Sequence, residues 1–191
     1  MIKKWGNNEM LILTQKFDSS ILLFIQDNMH GPIMDKVMVL STYLGNGGII
    51  WIVIAMVLII NKKYRRIGLM AMAALILSTI LGEGIIKHVV QRIRPSANIL
   101  EANLLITKPL SYSFPSGHTM SSFAVAGVLA KHLRSYALEF LSLASLIAFS
   151  RLYLYIHYPT DVLAGIVLGL TCSGIIICIF NRVQHNNKIH I

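Results

Sequence analysis

The chain has 191 residues, of which 55% are hydrophobic and 13% are charged, and its formal net charge is +9 at pH 7. Soluble domains carry roughly 25% charged residues, so this chain lacks the polar side chains needed to cover a large apolar core, and the composition argues against a soluble protein. The basic residues lie in short groups between apolar runs, which is typical of loops beside an anionic membrane leaflet and argues against nucleic acid as a partner.

The N-terminal part of the chain is polar for a membrane segment. Residues 17–44 contain Asp18, Asp27 and Asp35, so they fit either an amphipathic helix at the membrane interface or a polar first crossing that faces the bundle, which we favour. We predict a single membrane-embedded domain, 1–191. It comprises an amphipathic or polar segment (1–32), a core bundle (33–180) and a cytoplasmic tail (181–191).

Five apolar stretches follow this polar segment. A bilayer core about 30 Å thick needs about 20 helical residues, so the shortest stretch, 48–60, must extend upstream through Gly45–Gly48, whose glycines predict a bend. Together with the polar segment, these stretches predict an all-α, polytopic membrane bundle of about six transmembrane helices. The stretches are 48–60, 64–87, 119–131, 135–155 and 160–180.

The basic loops predict how the bundle is oriented. Segments 61–66, 131–134 and 182–188 are basic, and alternating crossings place all of them on one face, which we assign to the cytoplasm. The segment 91–116 and the turn near His157 then lie outside. The chain is therefore predicted to be a multi-pass protein of a bacterial plasma membrane, and basic residues on its outer face need another explanation.

Three short clusters lie at the ends of predicted helices on this outer face. They are Lys87-x6-Arg94-Pro95, Pro115-Ser116-Gly117-His118 and Ser150-Arg151-x5-His157-x3-Asp161. Lys87, Arg94 and Arg151 supply cations, and an arginine fork matches the oxygens of a phosphate. Ser116 and Gly117 precede an apolar helix, whose N terminus would offer N–H groups and a positive dipole to an anion. These residues predict a phosphate-binding site.

Two histidines and one carboxylate complete the clusters. Asp161 follows His157 by four positions, and Pro159 between them is well placed to begin a helix. Asp161 would then hold one imidazole nitrogen protonated and turn the other outward as a nucleophile. His118 is predicted to protonate the leaving oxygen.

The three clusters resemble the signature of the type-2 phosphatidic acid phosphatase superfamily. Every signature position is intact and in order between Lys87 and Asp161, and the flanking helices over 33–180 look like the short bacterial members. The resemblance implies a helical bundle with an outward-facing site. In that site His157 would form a phosphohistidine, Asp161 would orient His157, and His118 would act as an acid and then activate water.

The same resemblance implies how the phosphoryl group is held. No divalent metal and no other cofactor is expected, because the phosphoryl group would be bound by protein groups alone. Those groups are Lys87, Arg94, Ser116, Gly117, His118 and Arg151.

Several functions remain open at this point. The favoured substrate is undecaprenyl diphosphate, converted to undecaprenyl phosphate; phosphatidylglycerophosphate or phosphatidic acid is the alternative. The other class of function is a non-enzymatic anion transporter or channel, in which cations would be spread through the membrane depth. The haloperoxidase branch, which shares the signature, consists of larger soluble proteins. Membrane lipids are expected partners, and no obligatory protein partner is predicted.

Four further features carry structural predictions. Glu83 is predicted to form an ion pair that positions Lys87, although a carboxylate inside a membrane is a functional hypothesis by default. Arg92 is predicted to lie at the membrane interface. The pair Gly165 and Gly169 predicts a close helix–helix contact. The loop 96–114 is predicted to line the entrance of the site.

Overall fold

The computed structural model describes residues 2–98 and 104–189, which form helices joined by turns and irregular segments. Short 3₁₀ turns lie at Asn46–Gly48, Pro95–Asn98 and Arg134–Tyr136, and a π-helical turn at Ile80–Ile86. The α-helices are α1 (Ile2–Asn28), α2 (Pro32–Gly45), α3 (Ile49–Ile60), α4 (Arg65–Thr79), α5 (Lys87–Val90), α6 (Gly117–His132), α7 (Ala137–Tyr153) and α8 (Pro159–Ile189).

Helices α2 and α3 form one rod with a break in its middle. Gly47 (φ 57°) and Gly48 (φ 71°) have left-handed backbone conformations, which glycine adopts without the steric cost of a Cβ atom. The predicted bend at this glycine run is therefore confirmed.

A second rod, formed by α4, the π-helical turn and α5, also changes its geometry before it ends. The π turn Ile80–Ile86 contains Glu83 and leads directly into Lys87. Such turns occur frequently at functional sites. The rod ends at Gln91, whose φ is 51°.

Helix α6 is the central helix of the bundle and packs against α4, α7 and α8. The indole N–H of Trp51 in α3 donates to Ser122 Oγ in α6 (2.9 Å). Gly165 and Gly169 of α8 lie against the backbone of α6, because a Cβ on Gly169 would be 2.5 Å from the carbonyl oxygen of Met120. The predicted glycine contact is thus confirmed.

Among the described residues, four helical stretches are long and apolar enough to cross a membrane. They are Pro32–Ile60, Arg65–Val90, Arg134–Tyr153 and Pro159–Asn186. Large apolar side chains on these stretches are exposed, including Ile60, Val57 and Val167, as expected for surfaces that contact lipid. These features support a membrane protein with the predicted all-α architecture.

The prediction of a single crossing over residues 17–44 was wrong. Residues 17–44 do not form one helix, because α1 ends at Asn28 and α2 begins at Pro32. Gly31 has an extended backbone (φ −178°, ψ 157°), and a residue that precedes proline disfavours the α conformation. Helix α1 is also not among the membrane-crossing stretches found in the described residues. At the other end, α8 continues to Ile189, so most of the predicted tail is helical.

The predicted cytoplasmic ends of two helices lie together. Arg66 at the start of α4 donates from Nη2 to the carbonyl oxygen of Phe180 in α8 (2.8 Å), and its Nη1 donates to Gln184. The basic segment 61–66 and the basic end of α8 are therefore neighbours, as the alternating topology requires.

The contact between α6 and α8 leads to a stability prediction. Gly169→Ala places a Cβ against α6 backbone atoms, so we expect a loss of about 1–3 kcal/mol and a lower melting temperature in detergent. The control is Gly174→Ala on the same helix, where nothing lies within 4 Å of the added Cβ. A Gly169→Ala protein that melts at or above the wild-type temperature would contradict the packing.

Candidate active site

The three sequence clusters meet at one cavity of about 580 Å³. It lies between the break in the α2–α3 rod, the second rod, the N terminus of α6 and the end of α7. Nine polar or charged residues and one glycine of the lining are described below. They are Thr42, Asn46, Glu83, Lys87, Arg94, Ser111, Gly117, His118, Arg151 and His157. The predicted entrance loop contributes 106–109 and Ser111, whereas its part 99–103 lies outside the described residues.

Lys87 is buried at the cavity wall and is held by a carboxylate. Its Nζ lies 2.7 Å from Glu83 Oε1, and it donates to Ser111 Oγ (3.2 Å). The predicted ion pair is therefore confirmed. A Cβ on Gly117 would lie 2.0 Å from Glu83 Oε1, so the glycine leaves room for this carboxylate.

The guanidinium of Arg94 directs all of its N–H donors at other groups of the protein. Its N–H groups donate to the carbonyl oxygens of Ser111 (2.7 Å), Ile156 (2.8 Å) and Tyr112 (3.1 Å). They also contact Ser111 Oγ (3.0 Å) and His157 Nε2 (2.9 Å). These five contacts match the five donors of an arginine. In this state Arg94 anchors the loop after α5 to the turn that carries His157.

Arg151 is the least compensated cation of the cavity. Its side chain is 3% exposed, it donates from Nη1 to Thr42, and its Nε has no hydrogen-bond partner. In the described part of the chain it forms no ion pair with a carboxylate. Because a buried unpaired charge is costly, this guanidinium is suited to receive an anion from the cavity.

His157 lies in the turn between α7 and α8 and is 1% exposed. Arg94 is always a donor, so the contact with Nη1 at 2.9 Å makes Nε2 the unprotonated nitrogen. The proton is then on Nδ1, which lies 3.6 Å from Asp161 Oδ2. Burial, followed by the charges of Arg94, Arg151 and Lys87, holds the pKa of His157 well below its ordinary value. The ring is therefore neutral near pH 7, with a lone pair on Nε2.

Asp161 lies in the first turn of α8, which begins at Pro159 as predicted. Its Oδ2 accepts hydrogen bonds from Ser113 Oγ (2.5 Å) and from the N–H of Tyr158 (2.9 Å). Its Oδ1 accepts one from Arg92 (2.7 Å). Asp161 therefore lies on the Nδ1 side of His157, and hydrogen bonds from Ser113, Tyr158 and Arg92 fix its orientation.

Arg92 does more than the predicted interfacial role. It bridges two fully buried carboxylates, because Nη1 contacts Asp161 and Nη2 contacts Asp18 Oδ2 (2.6 Å). Its guanidinium also stacks over the Tyr158 ring at 4.0 Å. The sequence-based prediction of an interfacial arginine did not include this bridge, because nothing near either residue indicates that residue 18 approaches residue 92.

The N terminus of α6 opens onto the cavity at Gly117 and His118. His118 Nε2 lies 2.8 Å from Asn46 Oδ1 in the broken rod, so the glycine break positions a partner for this imidazole. Ser116 is fully buried and is not among the described residues that line the cavity; its Oγ accepts from Thr119 Oγ1 (2.9 Å). The structure thus brings His118 and Gly117 to the site and places Ser116 behind its wall.

Sequence reasoning missed several residues of the site. Asn46 could have been noticed as a lone amide between glycines in an apolar stretch. Ser111 and Ser113 lie just before the second cluster, but serines in a loop carry no specific signal. Within the described residues, no group of three or more His, Cys, Asp or Glu side chains could hold a metal ion.

Fold and site together define an all-helical membrane protein with a cavity lined by three buried cations and two imidazoles. The sequence profile of the PAP2 superfamily matches residues 66–185, which is more than half of the chain. The chain therefore belongs to the PAP2 superfamily, and the resemblance found in the three clusters is confirmed.

The chain is similar to several curated proteins and solved structures, among them the following three. Undecaprenyl-diphosphatase of Sulfolobus acidocaldarius is 35% identical over 122 residues, which cover 63% of this chain and 58% of that protein. Phosphatidylglycerophosphatase B of Bacillus subtilis is 31% identical over 153 residues, covering 73% and 71%. The crystal structure of Aquifex aeolicus LpxE superimposes with a TM-score of 0.69 at 30% identity, covering 84% and 94%. The chain thus spans less than two thirds of the length of the Sulfolobus undecaprenyl-diphosphatase.

Proposed function

We propose that this protein is an integral membrane lipid phosphatase that hydrolyses a phosphate monoester or diphosphate of a lipid through a phosphohistidine. The observation that carries the proposal is the buried guanidinium of Arg151, which has no anionic partner among residues 2–98 and 104–189 and faces the same cavity as His157 and His118. A phosphoryl group would supply the missing negative charge beside a neutral imidazole.

In the first step, Nε2 of His157 attacks phosphorus as the bond from phosphorus to the lipid oxygen breaks. The attack leaves Arg94 Nη1, now 2.9 Å from Nε2, free to donate to a phosphoryl oxygen instead. Lys87, Arg151 and the N–H groups at the start of α6 stabilise the charge that develops on the other oxygens. The bound phosphoryl anion favours the imidazolium form of His118, which gives one proton to the leaving oxygen and becomes neutral.

In the second step, water attacks the phosphohistidine. His118 takes the proton from water, the oxygen bonds to phosphorus, and the nitrogen–phosphorus bond breaks to release inorganic phosphate. Asp161 stabilises the proton on Nδ1 of His157 in both steps, since Oδ2 is the carboxylate oxygen nearest to that nitrogen.

The two histidines have distinct roles that can be separated. His157→Ala should abolish phosphoenzyme formation and reduce turnover by about 10³-fold or more, because no nucleophile remains. His118→Ala should reduce turnover by about 10²- to 10⁴-fold, the usual contribution of an acid–base group. Phosphate release in detergent micelles measures turnover, and alkaline quenching traps the phosphohistidine.

The matched control is His185→Ala, on the exposed part of α8, which should behave like the wild type. A His157→Ala protein with full turnover would eliminate the proposed mechanism.

Protein cations take the place that metal ions have in other phosphatases. We therefore expect EDTA to leave most of the activity intact, and orthovanadate, which mimics five-coordinate phosphorus, to inhibit. Phosphate release before and after chelation is the measurement. Complete loss on chelation that one added divalent metal restores would refute metal independence.

The favoured substrate is undecaprenyl diphosphate, with phosphatidylglycerophosphate or phosphatidic acid as the alternative. The matched undecaprenyl-diphosphatase is 35% identical to the chain, and the matched phosphatidylglycerophosphatase B is 31% identical. This difference in identity supports the order. We expect the highest kcat/KM on the polyprenyl diphosphate when purified protein is assayed on all three lipids. A large excess of turnover on phosphatidylglycerophosphate would reverse the order.

The cavity is proposed to open on the extracytoplasmic face of the membrane. The contact of Arg66 with Phe180 supports this orientation, because it joins two basic segments at one end of the bundle and basic loops favour the cytoplasm. An anion channel is less well supported, because Lys87, Arg94 and Arg151 gather in one cavity instead of following the depth of the membrane.

A further inference from the structure

Helix α1 contributes a buried carboxylate next to the site. Asp18 is fully buried, and its Oδ1 accepts the N–H of Thr160 (3.0 Å) while its Oδ2 accepts Thr160 Oγ1 (2.7 Å). Thr160 immediately precedes Asp161 in the first turn of α8. Asp18 therefore binds the backbone that carries the carboxylate behind His157.

Arg92 connects the two carboxylates through a single guanidinium. Its two terminal nitrogens lie 2.6 Å from Asp18 Oδ2 and 2.7 Å from Asp161 Oδ1, and Nη1 also donates to Thr160 Oγ1 (2.7 Å). The planar fork of arginine suits such a bridge, whereas a lysine ammonium is a point charge.

The bridge helps to fix the plane of the Asp161 carboxylate relative to the histidine ring. Arg92 occupies Oδ1, so Oδ2 remains on the side of His157 Nδ1, at 3.6 Å. If the carboxylate turned about its Cβ–Cγ bond, it would lose its contacts with Arg92 and Ser113 together. Arg94 contacts Nε2 on one side of the ring (2.9 Å), and Asp161 lies on the Nδ1 side.

Asp18 also keeps Arg92 from cancelling the charge of Asp161. Two carboxylates and one guanidinium leave this cluster with one net negative charge. That charge faces an imidazole that becomes positive as it bonds to phosphorus, and opposite charges at this distance favour the charged ring.

We propose that Arg92, anchored by Asp18 of α1, is a positioning residue that holds the Asp161 carboxylate in the orientation His157 needs for phosphoryl transfer. The proposal rests on the proposed phosphatase function for its kinetic consequences. It adds to the site a helix outside residues 66–185, the part matched by the superfamily profile.

The first test separates chemistry from substrate binding. Arg92→Gln should lower kcat about 10- to 100-fold, the range seen when groups that orient active-site ligands are removed, while KM changes less than about 2-fold. The control is Arg65→Gln, an exposed arginine far along the chain from the site that donates to the carbonyl oxygen of Ile59 (3.1 Å), and it should keep wild-type kcat. An Arg92→Gln protein with wild-type kcat would overturn the proposal.

A double variant separates positioning from stability. Arg92→Gln leaves the buried carboxylates of Asp18 and Asp161 without their cation, so this protein should melt at a lower temperature than the wild type. Adding Asp18→Asn removes one of these two charges and should raise the melting temperature part of the way, while kcat stays at least about tenfold low because Asp161 still lacks its bridge. Recovery of wild-type kcat together with stability would show a purely structural role. Asp27→Asn, an exposed change on the same helix, is the control.

A third measurement does not depend on turnover. Nitrogen-15 spectra of histidine-labelled protein report which ring nitrogen of His157 carries the proton, and the His157→Gln protein assigns the signal. We expect the Nδ1–H form in both proteins, because Arg94 keeps Nε2 as the acceptor. In Arg92→Gln the Nδ1–H signal should change its chemical shift, because the Asp161 carboxylate beside it is no longer held. If the wild type releases no phosphate from any lipid, the proposed function fails, and these spectra alone decide the positioning role. An unchanged Nδ1–H signal in Arg92→Gln would then refute it.

Discussion

The burial of positive charge beside an apolar bundle is the constraint on which the site depends. Lys87, Arg94 and Arg151 are each at most 7% exposed, and each is compensated differently. Lys87 has a carboxylate partner, Arg94 is satisfied by carbonyl oxygens and a neutral ring, and the partner of Arg151 within the described segments is one hydroxyl group. Since unpaired charge is unfavourable at such a position, we expect an anion to bind most strongly near Arg151, with the lone pair of His157 on the same cavity wall.

Breaks and ends of the helices place further groups of the site at the same level of the bundle. The glycine break between α2 and α3 provides Asn46, the π-helical turn before α5 provides Glu83, and the start of α6 provides Gly117 and His118. A continuous helix would use its polar backbone groups internally, whereas its ends and breaks leave them available to a ligand. The apolar parts of the same helices face outward or pack around α6, so the bundle is stabilised by packing while its interrupted segments form the cavity.

The helices and the three clusters could be predicted because they depend on local patterns. Apolar runs reveal the spans, Pro159 and Gly117 mark helix starts, and Glu83 lies one turn before Lys87. The failures involve contacts between distant segments. Asp18 and Arg92 are 74 positions apart, so nothing near either residue shows that they pair. The wrong boundary at 17–44 had a local cause, since Gly31 before Pro32 was a stop signal that the polar character of the whole segment obscured.

The polar character of α1 has an explanation in the site itself. A helix that only faced lipid would gain nothing from a carboxylate, and α1 is too polar to be among the apolar spans of the described chain. It contacts α7 and α8, the two helices whose junction carries His157, and Asp18 is buried at that contact. Docking of α1 and orientation of Asp161 therefore share the same hydrogen bonds. Any motion that separates α1 from α8 must break the contacts of Asp18 with Thr160 and Arg92. Loosening of α1 would therefore change how Asp161 is held beside His157.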